Sequence, residues 1–440
     1  MRDAQARQSG SFFRSLVGRF GRPKLTPIRY DHGAPRRVLF YCASNIGMGH
    51  LGRVVRVASC LKPLAPDASF LLATDAKDLG LLSQAGDLAV MKLPSFAFDD
   101  SGQFRDAPQG LRIDAPQLQA LRQNALLSLV ESYQPHVLYM DTLPHGKRDE
   151  MLPALRFLRR RLPRSKTVLC MRDIPCPPSE RFKLRGPEAN LRKNAGRYDC
   201  LLVAGDPKFF DLAAAYQWPE WLARRVRYIG FVIPETGVPS DPTWESSAMF
   251  RLANAADGSV KNVVASFGGG WQSGPLSMEI LQAIRAIRRR SPVAIRLFIF
   301  TGPAIGDTAY ASLLQEACGD SDTLVETFSP FFPWVLARAD VAFLQAGSTP
   351  FQILESDIPI LLYCRDYKDE EQAFRARLLA KHEGVELVDG ETIEQGGLAQ
   401  RVERALCAPR VARHTGYRFS GAREAAELLA GLLKDETPGT

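Results

Sequence analysis

The sequence predicts an α/β protein made of two successive units, each a doubly wound parallel sheet with helices on both faces. Apolar, strand-like runs alternate with helical stretches from residue 36 to about 232, and the alternation restarts near residue 259. Strands buried on both faces read as continuous apolar runs, and regular alternation with helices is typical of parallel sheets. The length of 440 residues also exceeds the roughly 250–300 at which a single core stops growing.

The first unit covers residues 36–232. Its strand-like runs are RRVLFYCA, SFLLATD, HVLYMD, KTVLCMRD, CLLVAG and VRYIGFV. Helical patterns lie between them, and the clearest are GRVVRVASCLKPL and APQLQALRQNALLSLVESY. Residues 233–258 contain Pro, Gly, Ser and Asp but little strand signal, so we predict an interdomain linker there.

The second unit covers residues 259–420. Its predicted strands are KNVVASFGGG, AIRLFIFTG, TLVETF, ADVAFLQAG and PILLYC. Its predicted helices are PLSMEILQAIRAIRRR, YASLLQEACG, TPFQILESD and DEEQAFRARLLAKHEG. A C-terminal helix and tail follow at 421–440, and the pattern leaves open which of the two domains the helix packs against.

Residues 1–35 form a basic N-terminal appendage. Nine Arg or Lys and two Asp within residues 1–37 account for +7 of the net charge of +8. The stretch SFFRSLVGRF has the pattern of a short basic amphipathic helix, which favours contact with an anionic membrane surface; a solvated tail is the alternative. Because the body is nearly neutral, we do not expect nucleic-acid binding.

The eight cysteines are scattered without a C-x-x-C pair, which indicates reduced thiols rather than disulfides. We find neither a membrane-spanning apolar run nor a cleavable signal. We therefore expect a cytoplasmic protein, with attachment to the inner face of a membrane through residues 1–37 as the open alternative. The six histidines include no zinc-binding spacing.

Two glycine-rich turns follow predicted strands of the second unit. SFGGG, with Gly268, Gly269 and Gly270, leads into a helix, so its backbone N–H groups and the helix N-terminus can hold a diphosphate without a metal. A tight strand-to-helix turn is the alternative. QAGSTPFQ, residues 345–352, is a second small-residue turn able to contact phosphate or ribose.

The first unit contains its own glycine turn, SNIGMGH, after the first predicted strand. Ligands of parallel sheets bind beyond the carboxyl ends of strands, where Gly47, Gly49 and His50 are predicted to lie. A histidine can deprotonate a hydroxyl at neutral pH, so His50 is the candidate base; a purely hydrogen-bonding histidine is equally compatible. Asp141, at the end of another predicted strand, is the rival base. Asp173 follows a third strand and is predicted to lie on the acceptor side with Gly47 and Gly49.

DEEQ opens another predicted helix of the second unit. Glu371 and Gln372 can accept hydrogen bonds from sugar hydroxyls there. The alternative is that these residues only stabilise the positive end of the helix dipole.

The motif set resembles the two-domain GT-B glycosyltransferases, in particular the peptidoglycan N-acetylglucosaminyltransferases that act on lipid-linked muropeptide. That likeness rests on SFGGG, TFSPFFPWVLARADVAFLQAGSTPFQILESDIPILLY and DEEQAFRARLL. The first half is more similar to a bacterial group of predicted glycosyltransferases, through GMGHLGR, YMDTLPHGKRDEMLPAL, MRDIP and VAGDPKFFDLAAAY. Together these stretches extend from about residue 36 to 415.

The resemblance implies two Rossmann-like domains facing across a cleft and a nucleotide-sugar donor, UDP-linked, held by the second domain. It implies inversion at the anomeric carbon with no metal or other cofactor. The donor-side residues it implies are Gly268, Gly269 and Gly270 at the diphosphate, Phe328 and Ser329 by the base, Gly347, Ser348 and Thr349 at the phosphates, and Glu371 and Gln372 at the sugar. Gly47, Gly49 and His50 correspond to the acceptor-side loop.

The chain departs from this family at one position. Relatives carry a glutamate that holds the ribose hydroxyls where this chain has Gln352, and Glu355 replaces it only if the register differs. An amide can bind the hydroxyls but without assistance from a charge.

One metal motif also bears on the prediction. Asp320 and Asp322 match the Asp-x-Asp of another glycosyltransferase architecture, but they follow a helix and a glycine, so we interpret them as a surface loop.

The sequence therefore predicts a metal-independent inverting glycosyltransferase whose acceptor is lipid-linked or a polysaccharide precursor. Two alternatives remain open. One is a UDP-sugar epimerase of the same architecture, and the other is a non-catalytic nucleotide-sugar or polysaccharide-assembly binding module.

Overall fold

The computed structural model describes residues 35–434, except 45–47, 99–103, 109, 181–187, 235–243, 246, 248, 251–252, 254–259, 272 and 365–369. The predicted basic appendage lies outside the described residues apart from Pro35, as do residues 435–440 and most of the predicted linker.

The first half of the described chain contains nine strands and six α-helices. The strands are β1 (Arg37–Cys42), β2 (Ser69–Thr74), β3 (Ala89–Lys92), β4 (Phe96–Phe98), β5 (Phe104–Pro108), β6 (Val137–Asp141), β7 (Lys166–Arg172), β8 (Cys200–Ala204) and β9 (Val226–Tyr228). The helices are α1 (Met48–Leu61), α2 (Ala115–Tyr133), α3 (Leu152–Arg161), α4 (Glu188–Ala195), α5 (Leu212–Ala215) and α6 (Glu220–Ala223).

The second half contains six strands and seven α-helices within the described residues. The strands are β10 (Val260–Ser266), β11 (Ala294–Phe300), β12 (Thr323–Glu326), β13 (Val341–Gln345), β14 (Ile360–Tyr363) and β15 (Val385–Val388). The helices are α7 (Ser273–Arg290), α8 (Asp307–Ala317), α9 (Phe332–Leu336), α10 (Glu370–Leu379), α11 (Gly390–Glu394), α12 (Leu398–Cys407) and α13 (Gly421–Lys434).

Two parallel sheets organise these elements, as the sequence predicts. The first has the strand order β3-β2-β1-β6-β7-β8-β9, and the second has the order β12-β11-β10-β13-β14-β15. In each sheet the chain runs outward from a central strand and then returns to that strand's other side. The strand order therefore reverses between β1 and β6 and between β10 and β13, where ligands of such sheets bind.

Apolar runs account for the central strands, which are buried along almost their whole length. Helix α1 places Leu51, Val54, Ala58 and Leu61 on one face at three- and four-residue spacing, and this face is buried against the first sheet. Helix α2 begins at a capping box, in which the Asp114 side chain accepts from the backbone of Gln117 and the Gln117 side chain accepts from that of Asp114.

The last helix crosses back to the first domain. Ala425, Ala426, Leu429 and Leu433 of α13 are buried in the same core as α1 and the first sheet. This contact answers the question that the sequence pattern left open. It also shows that the hydrophobic core of the first domain is completed by residues from the far end of the chain.

A second contact joins the domains next to the start of α13, where the backbone N–H of Gly421 donates to the carbonyl of Phe231. Phe231 at the end of the first domain stacks on Phe351 of the second, with ring centroids 4.2 Å apart, and Phe209 meets Phe351 edge-on. Trp244 of the predicted linker is fully buried and packs against Phe331 and Trp334. At Trp244, the segment between the domains is part of a core and not a free tether.

Two predicted elements differ from the structure, and some of its strands were not predicted. Helix α1 begins at Met48, so Gly49 and His50 lie in its first turn and not in a loop. The predicted helix at 349–357 is only a single 3₁₀ turn, Thr349–Gln352, because the buried Arg413 side chain donates to the carbonyls of Ile353, Leu354 and Ile358 in place of a helical ladder. Strands β3 and β15 were not predicted. Both are four-residue edge strands without a continuous apolar run.

Candidate active site between the two domains

A cavity of about 570 Å³ lies between the carboxyl ends of the two sheets. This volume falls within the roughly 300–1,000 Å³ of small-molecule sites. It is lined by residues from both points at which the strand order reverses. Twelve of the sequence-predicted residues line it: Gly49, His50, Gly268, Gly269, Phe328, Ser329, Gly347, Ser348, Thr349, Gln352, Glu371 and Gln372.

His50 and Asp141 meet at the reversal point of the first sheet. Asp141 is the last residue of β6, its side chain is fully buried, and its Oδ2 lies 2.5 Å from Nδ1 of His50. Nη2 of Arg53 also lies 2.8 Å from Nδ1. Because the shorter contact is to a carboxylate oxygen, which only accepts, we assign the hydrogen to Nδ1 and the lone pair to Nε2. The His50 side chain retains 28% of its surface and lines the cavity.

Arg53 holds the carboxylate of this pair. Its Nε and Nη2 donate to the two oxygens of Asp141 at 3.0 and 3.1 Å, and Nη2 also donates to Oγ1 of Thr142. Thr142 has a φ of 64°, a left-handed backbone that a β-branched residue rarely adopts. That backbone turns its hydroxyl toward Asp141, to which it donates at 3.2 Å. The carboxylate is therefore fixed from three sides.

These contacts set the protonation states of the pair. Burial alone would raise the pKa of Asp141, but the charge of Arg53 and the close contact with His50 outweigh it and hold this pKa below its ordinary value. Burial lowers the pKa of His50, and the attraction of Asp141 offsets only part of that effect. At neutral pH the arrangement is an ionised carboxylate beside a neutral imidazole, which is the form of histidine that accepts a proton.

The glycine turn after β10 faces the cavity from the second domain. Gly268 and Gly269 line the cavity, and no described group accepts a hydrogen bond from their backbone N–H groups. Gly268 has a φ of +63°, and a Cβ there would lie 3.3 Å from Oε1 of Gln345. Unpaired backbone N–H groups in residues that line a cavity are suited to the oxygens of an anion.

Gly270 does not line the cavity. Its φ is +90°, and an added Cβ would overlap the backbone of Gly302 after β11. We therefore attribute this third glycine to the close approach of two chain segments, which only glycine permits. Gly47 lies outside the described residues.

The second turn, after β13, lies opposite helix α1. A Cβ on Gly49 would be 3.2 Å from Oγ of Ser348, so the two domains approach each other at these residues. Gln352 also lines the cavity, and its Oε1 is buried without a hydrogen-bond donor among the described residues. Glu355 is exposed and accepts from the backbone and hydroxyl of Thr415, so it does not stand in for the glutamate of the relatives.

Phe328 and Ser329 follow the second sheet's edge strand β12. The Phe328 ring packs close to Gly80 of the first domain, where a Cβ would come within 2.8 Å of the ring. The Ser329 hydroxyl accepts from the backbone of Phe331. Both line the same end of the cavity as Leu81, which makes that end largely apolar.

Glu371 is engaged by arginines. Its carboxylate pairs with Arg172 of the first domain at 2.9 Å and with Arg375 at 2.5 Å. Arg375 is fully buried and also donates to both oxygens of Asp173. Arg172, Asp173, Glu371 and Arg375 form what we call the interdomain ion network. Burial would raise the pKa of Asp173, but Arg375 and Arg172 lower it to about 2.

This network changes two of the sequence predictions. Asp173 does not line the cavity, and its carboxylate is directed to Arg375 rather than to an acceptor. Glu371 does line it, but its oxygens already face two guanidinium groups. Gln372 accepts a hydrogen bond from the Gln345 side chain at 2.9 Å and stays on the cavity wall.

Sequence reasoning did not identify several cavity residues. Arg53, Arg56 and Trp271 line the cavity, as do Phe300 and Phe332. Arg53 and Arg56 follow His50 at three-residue steps, a helical spacing that could have indicated them once the helix start was known. Trp271 directly follows the glycine triplet, and that position was the available signal.

Asp320 and Asp322 lie before β12, at the edge of the sheet opposite the cavity. Asp320 accepts from Arg288 at 2.6 Å and from the Thr323 hydroxyl. Within the described ranges, no group of three or more His, Cys, Asp or Glu side chains is arranged to hold a metal ion. No described helix is long and apolar enough to span a bilayer.

No protein-family model matches the chain, and no curated protein sequence matches it. Several solved structures, however, are similar to the chain in fold. The calicheamicin glycosyltransferase CalG4 is 15% identical with a TM-score of 0.56, covering 92% of this chain and all of its own (100%). The spinosyn rhamnosyltransferase SpnG, solved with thymidine diphosphate, is 18% identical with a TM-score of 0.52, covering 90% and 96%.

A third similar structure is the UDP-GlcNAc 2-epimerase of Methanocaldococcus jannaschii, solved with UDP-GlcNAc and UDP. It is 10% identical with a TM-score of 0.53, and the match covers 90% of this chain and 99% of that one. Both glycosyltransferases and UDP-GlcNAc 2-epimerases are among the similar structures. The predicted GT-B fold is thereby confirmed. The likeness to peptidoglycan N-acetylglucosaminyltransferases stays a prediction.

Proposed function

We propose that this protein is an inverting glycosyltransferase that moves a sugar from a UDP-sugar to an acceptor hydroxyl. One observation carries the proposal. The His50–Asp141 pair lies on one wall of the cavity, and the bare N–H groups of Gly268 and Gly269 lie on the other. A base and an oxyanion-binding backbone thus face the same space, as group transfer between a hydroxyl and a diphosphate requires.

In this proposal the second domain holds the donor. Gly268 and Gly269 offer their N–H groups to the diphosphate, and Ser348 and Thr349 offer hydroxyls from the second turn. The orphaned Oε1 of Gln352 accepts from a ribose hydroxyl. The nucleoside diphosphates in the SpnG and epimerase structures support this donor class.

His50 is the proposed base. Its Nε2 takes the proton of the acceptor hydroxyl as that oxygen forms a bond to the anomeric carbon. The bond from that carbon to the β-phosphate oxygen breaks, and UDP leaves with the bonding electrons. Because attack and departure occur on opposite faces, the configuration inverts. The negative charge that develops on the diphosphate is met by the backbone N–H groups without any required metal.

Asp141 is then a positioning residue and not the rival base. Its low pKa and its three bonded partners make it a poor proton acceptor, whereas its contact with Nδ1 fixes the tautomer of His50. It also stabilises the imidazolium that forms when His50 takes a proton. As the acceptor we propose a lipid-linked sugar or polysaccharide precursor, a class supported by the sequence resemblance.

The epimerase alternative has less support. An epimerase needs acid and base groups on the donor sugar itself. Glu371 is the one carboxylate among the described residues that line the cavity, and it is paired with Arg172 and Arg375. The binding-module alternative leaves the buried His50–Asp141–Arg53 arrangement without a purpose.

Thermal denaturation with a panel of nucleotides and nucleotide sugars, with EDTA present throughout, tests the donor. Binding to the folded state raises the melting temperature by mass action. We expect UDP and one UDP-sugar to raise it. The matching UDP-sugar is then incubated with and without candidate acceptors. Release of UDP that depends on an acceptor supports a transferase, isomerisation of the sugar without one supports an epimerase, and neither reaction supports a binding module.

A further inference from the structure

Arg56 lies on the cavity wall without a counter-ion among the residues that the structure describes. It follows Gly49, His50 and Arg53 along the same face of α1, and all four line the cavity. No described carboxylate pairs with its guanidinium, and its Nε is buried without a hydrogen-bond acceptor among the described residues. The other arginines that line the cavity, Arg53 and Arg172, each pair with a carboxylate.

Three carboxylates compensate three arginines around the cavity. Asp141 pairs with Arg53. In the interdomain ion network, Glu371 pairs with Arg172 and Asp173 pairs with Arg375. Arg56 therefore contributes a positive charge that no described carboxylate compensates. Burial lowers the pKa of Arg56, and the neighbouring Arg53 lowers it further, to about 10. The Arg56 side chain is half-buried, and a partly desolvated charge is unfavourable unless a ligand or solvent compensates it.

Gly52 gives the guanidinium its position. A Cβ on Gly52 would lie 2.8 Å from Nη1 of Arg56, so the side chain folds back over this glycine, one turn closer to the start of α1. Gly52 is about 4.5 Å along the helix axis from Gly49, the residue that approaches Ser348 of the second turn. The charge is thus directed toward the side of the cavity where the proposed phosphate contacts lie.

We infer that Arg56 is an anion-binding residue that takes phosphate oxygens of a ligand in the cavity, and that Gly52 is there to leave room for its guanidinium. The identity of the ligand rests on the proposed function. The phosphate belongs either to the donor diphosphate or to a phosphorylated acceptor. In both cases the guanidinium supplies from the first domain a charge that the backbone of the glycine turn lacks.

Three variants separate this role from a structural one. Arg56→Met removes the charge and keeps an apolar stem, and Arg56→Lys keeps the charge. Gly52→Ala displaces the flexible end of Arg56 without removing it. Gly431→Ala is the matched control, because Gly431 also lies within a helix and a Cβ there meets nothing within 4 Å. Both alanine variants should preserve or raise the melting temperature, since alanine favours a helix over glycine.

The first measurement is calorimetric titration of the full chain with pyrophosphate, UDP and uridine in metal-free buffer. We expect Arg56→Met to weaken pyrophosphate binding by roughly tenfold to a hundredfold, the range for hydrogen bonds to a charged group. Gly52→Ala should weaken it by several-fold, while Arg56→Lys, Gly431→Ala and every uridine titration should show no comparable loss. Pyrophosphate binding that is absent in the wild type, or unchanged in both Arg56→Met and Gly52→Ala, overturns the inference.

The source of the phosphate follows from the UDP titrations. A parallel loss of UDP affinity in Arg56→Met assigns the residue to the donor diphosphate. If UDP binds the variant normally, UDP-saturated protein is titrated with pyrophosphate; a second site that the variant lacks assigns Arg56 to a phosphorylated acceptor. A chain that binds no nucleotide but binds pyrophosphate through Arg56 would overturn the proposed function and leave this inference standing.

Discussion

Nδ1 of His50 lies 2.5 Å from Oδ2 of Asp141, although 91 positions separate the two residues in the chain. The contact exists because β1 and β6 are neighbours in the first sheet and both end at the cavity. His50 stands in the first turn of the helix after β1, and Asp141 ends β6. The chain therefore brings His50 and Asp141 together by returning to the free side of β1 with β6.

Replacing Asp141 with asparagine should lower kcat by about 10²–10⁴-fold, because an amide no longer fixes the tautomer of His50 or stabilises the imidazolium. His50→Ala should lose at least as much. Both variants should bind UDP as the wild type does, since neither residue lies on the donor side of the cavity. Steady-state kinetics together with UDP titration measures both effects. If His50→Ala turned over at the wild-type rate, His50 would not be the base.

The pH profile tests the same pair. Because burial holds the pKa of His50 below its ordinary value near 6.5, kcat/KM should rise with pH through a midpoint below 6.5 and then reach a plateau. Asp141 raises the pKa of His50, so Asp141→Asn should shift the midpoint further down. A merely structural role for Asp141 would reduce the rate without moving the midpoint.

Gln352→Glu should strengthen UDP binding, because hydrogen bonds from ribose hydroxyls to a carboxylate are roughly twice as strong as those to an amide. We expect the Kd for UDP to be several-fold lower in Gln352→Glu. It should be several-fold higher in Gln352→Met, because a thioether is a poor acceptor of hydrogen bonds from the ribose hydroxyls. Gln315→Glu on the exposed face of α8 adds the same charge away from the cavity and serves as the control. Equal affinities for all four proteins would exclude Gln352 from the ribose site.

Asp173→Asn should destabilise the fold by about 3 kcal/mol, because it leaves the fully buried Arg375 short of a charge that compensates it. The double change Asp173→Leu with Arg375→Met should recover much of that loss, since no buried charge remains at that pair. Denaturant midpoints measure both. A double variant less stable than Asp173→Asn would show that the ion pair itself is strongly favourable.

Membrane attachment is a prediction from residues 1–37, which lie mostly outside the described part of the chain. Liposomes that contain anionic lipid should recover the full chain better than a truncated form of residues 36–440, and the difference should shrink as salt increases. Neutral liposomes provide the control. Equal recovery of the two forms would leave the basic appendage as a solvated tail.

Sequence patterns predicted the central strands well, because strands buried on both faces must be apolar throughout, as β1 and β13 are. They also identified the glycine turns, since backbone exposure at a strand end requires small residues. Edge strands such as β15 were missed because they are short and have no continuous apolar run.

The candidate site was only partly predictable. His50 and Asp141 were each recognised, but as rivals, because the pattern along the chain does not disclose that β1 and β6 pair. The engagement of Asp173 by Arg375 could not be foreseen, since it joins residues 202 positions apart across two domains. Arg56 was hidden because a basic residue on an amphipathic helix is ordinarily exposed to solvent.

The return of α13 to the first domain has a consequence for biosynthesis. Leu429 and Leu433 contribute to the core around α1, yet they are translated almost four hundred residues after it. A ribosome therefore releases the first sheet with an apolar face still uncovered, and this face stays open to chaperones or to other nascent chains until residue 434 has emerged. Native folding of the first domain must wait for translation of the second.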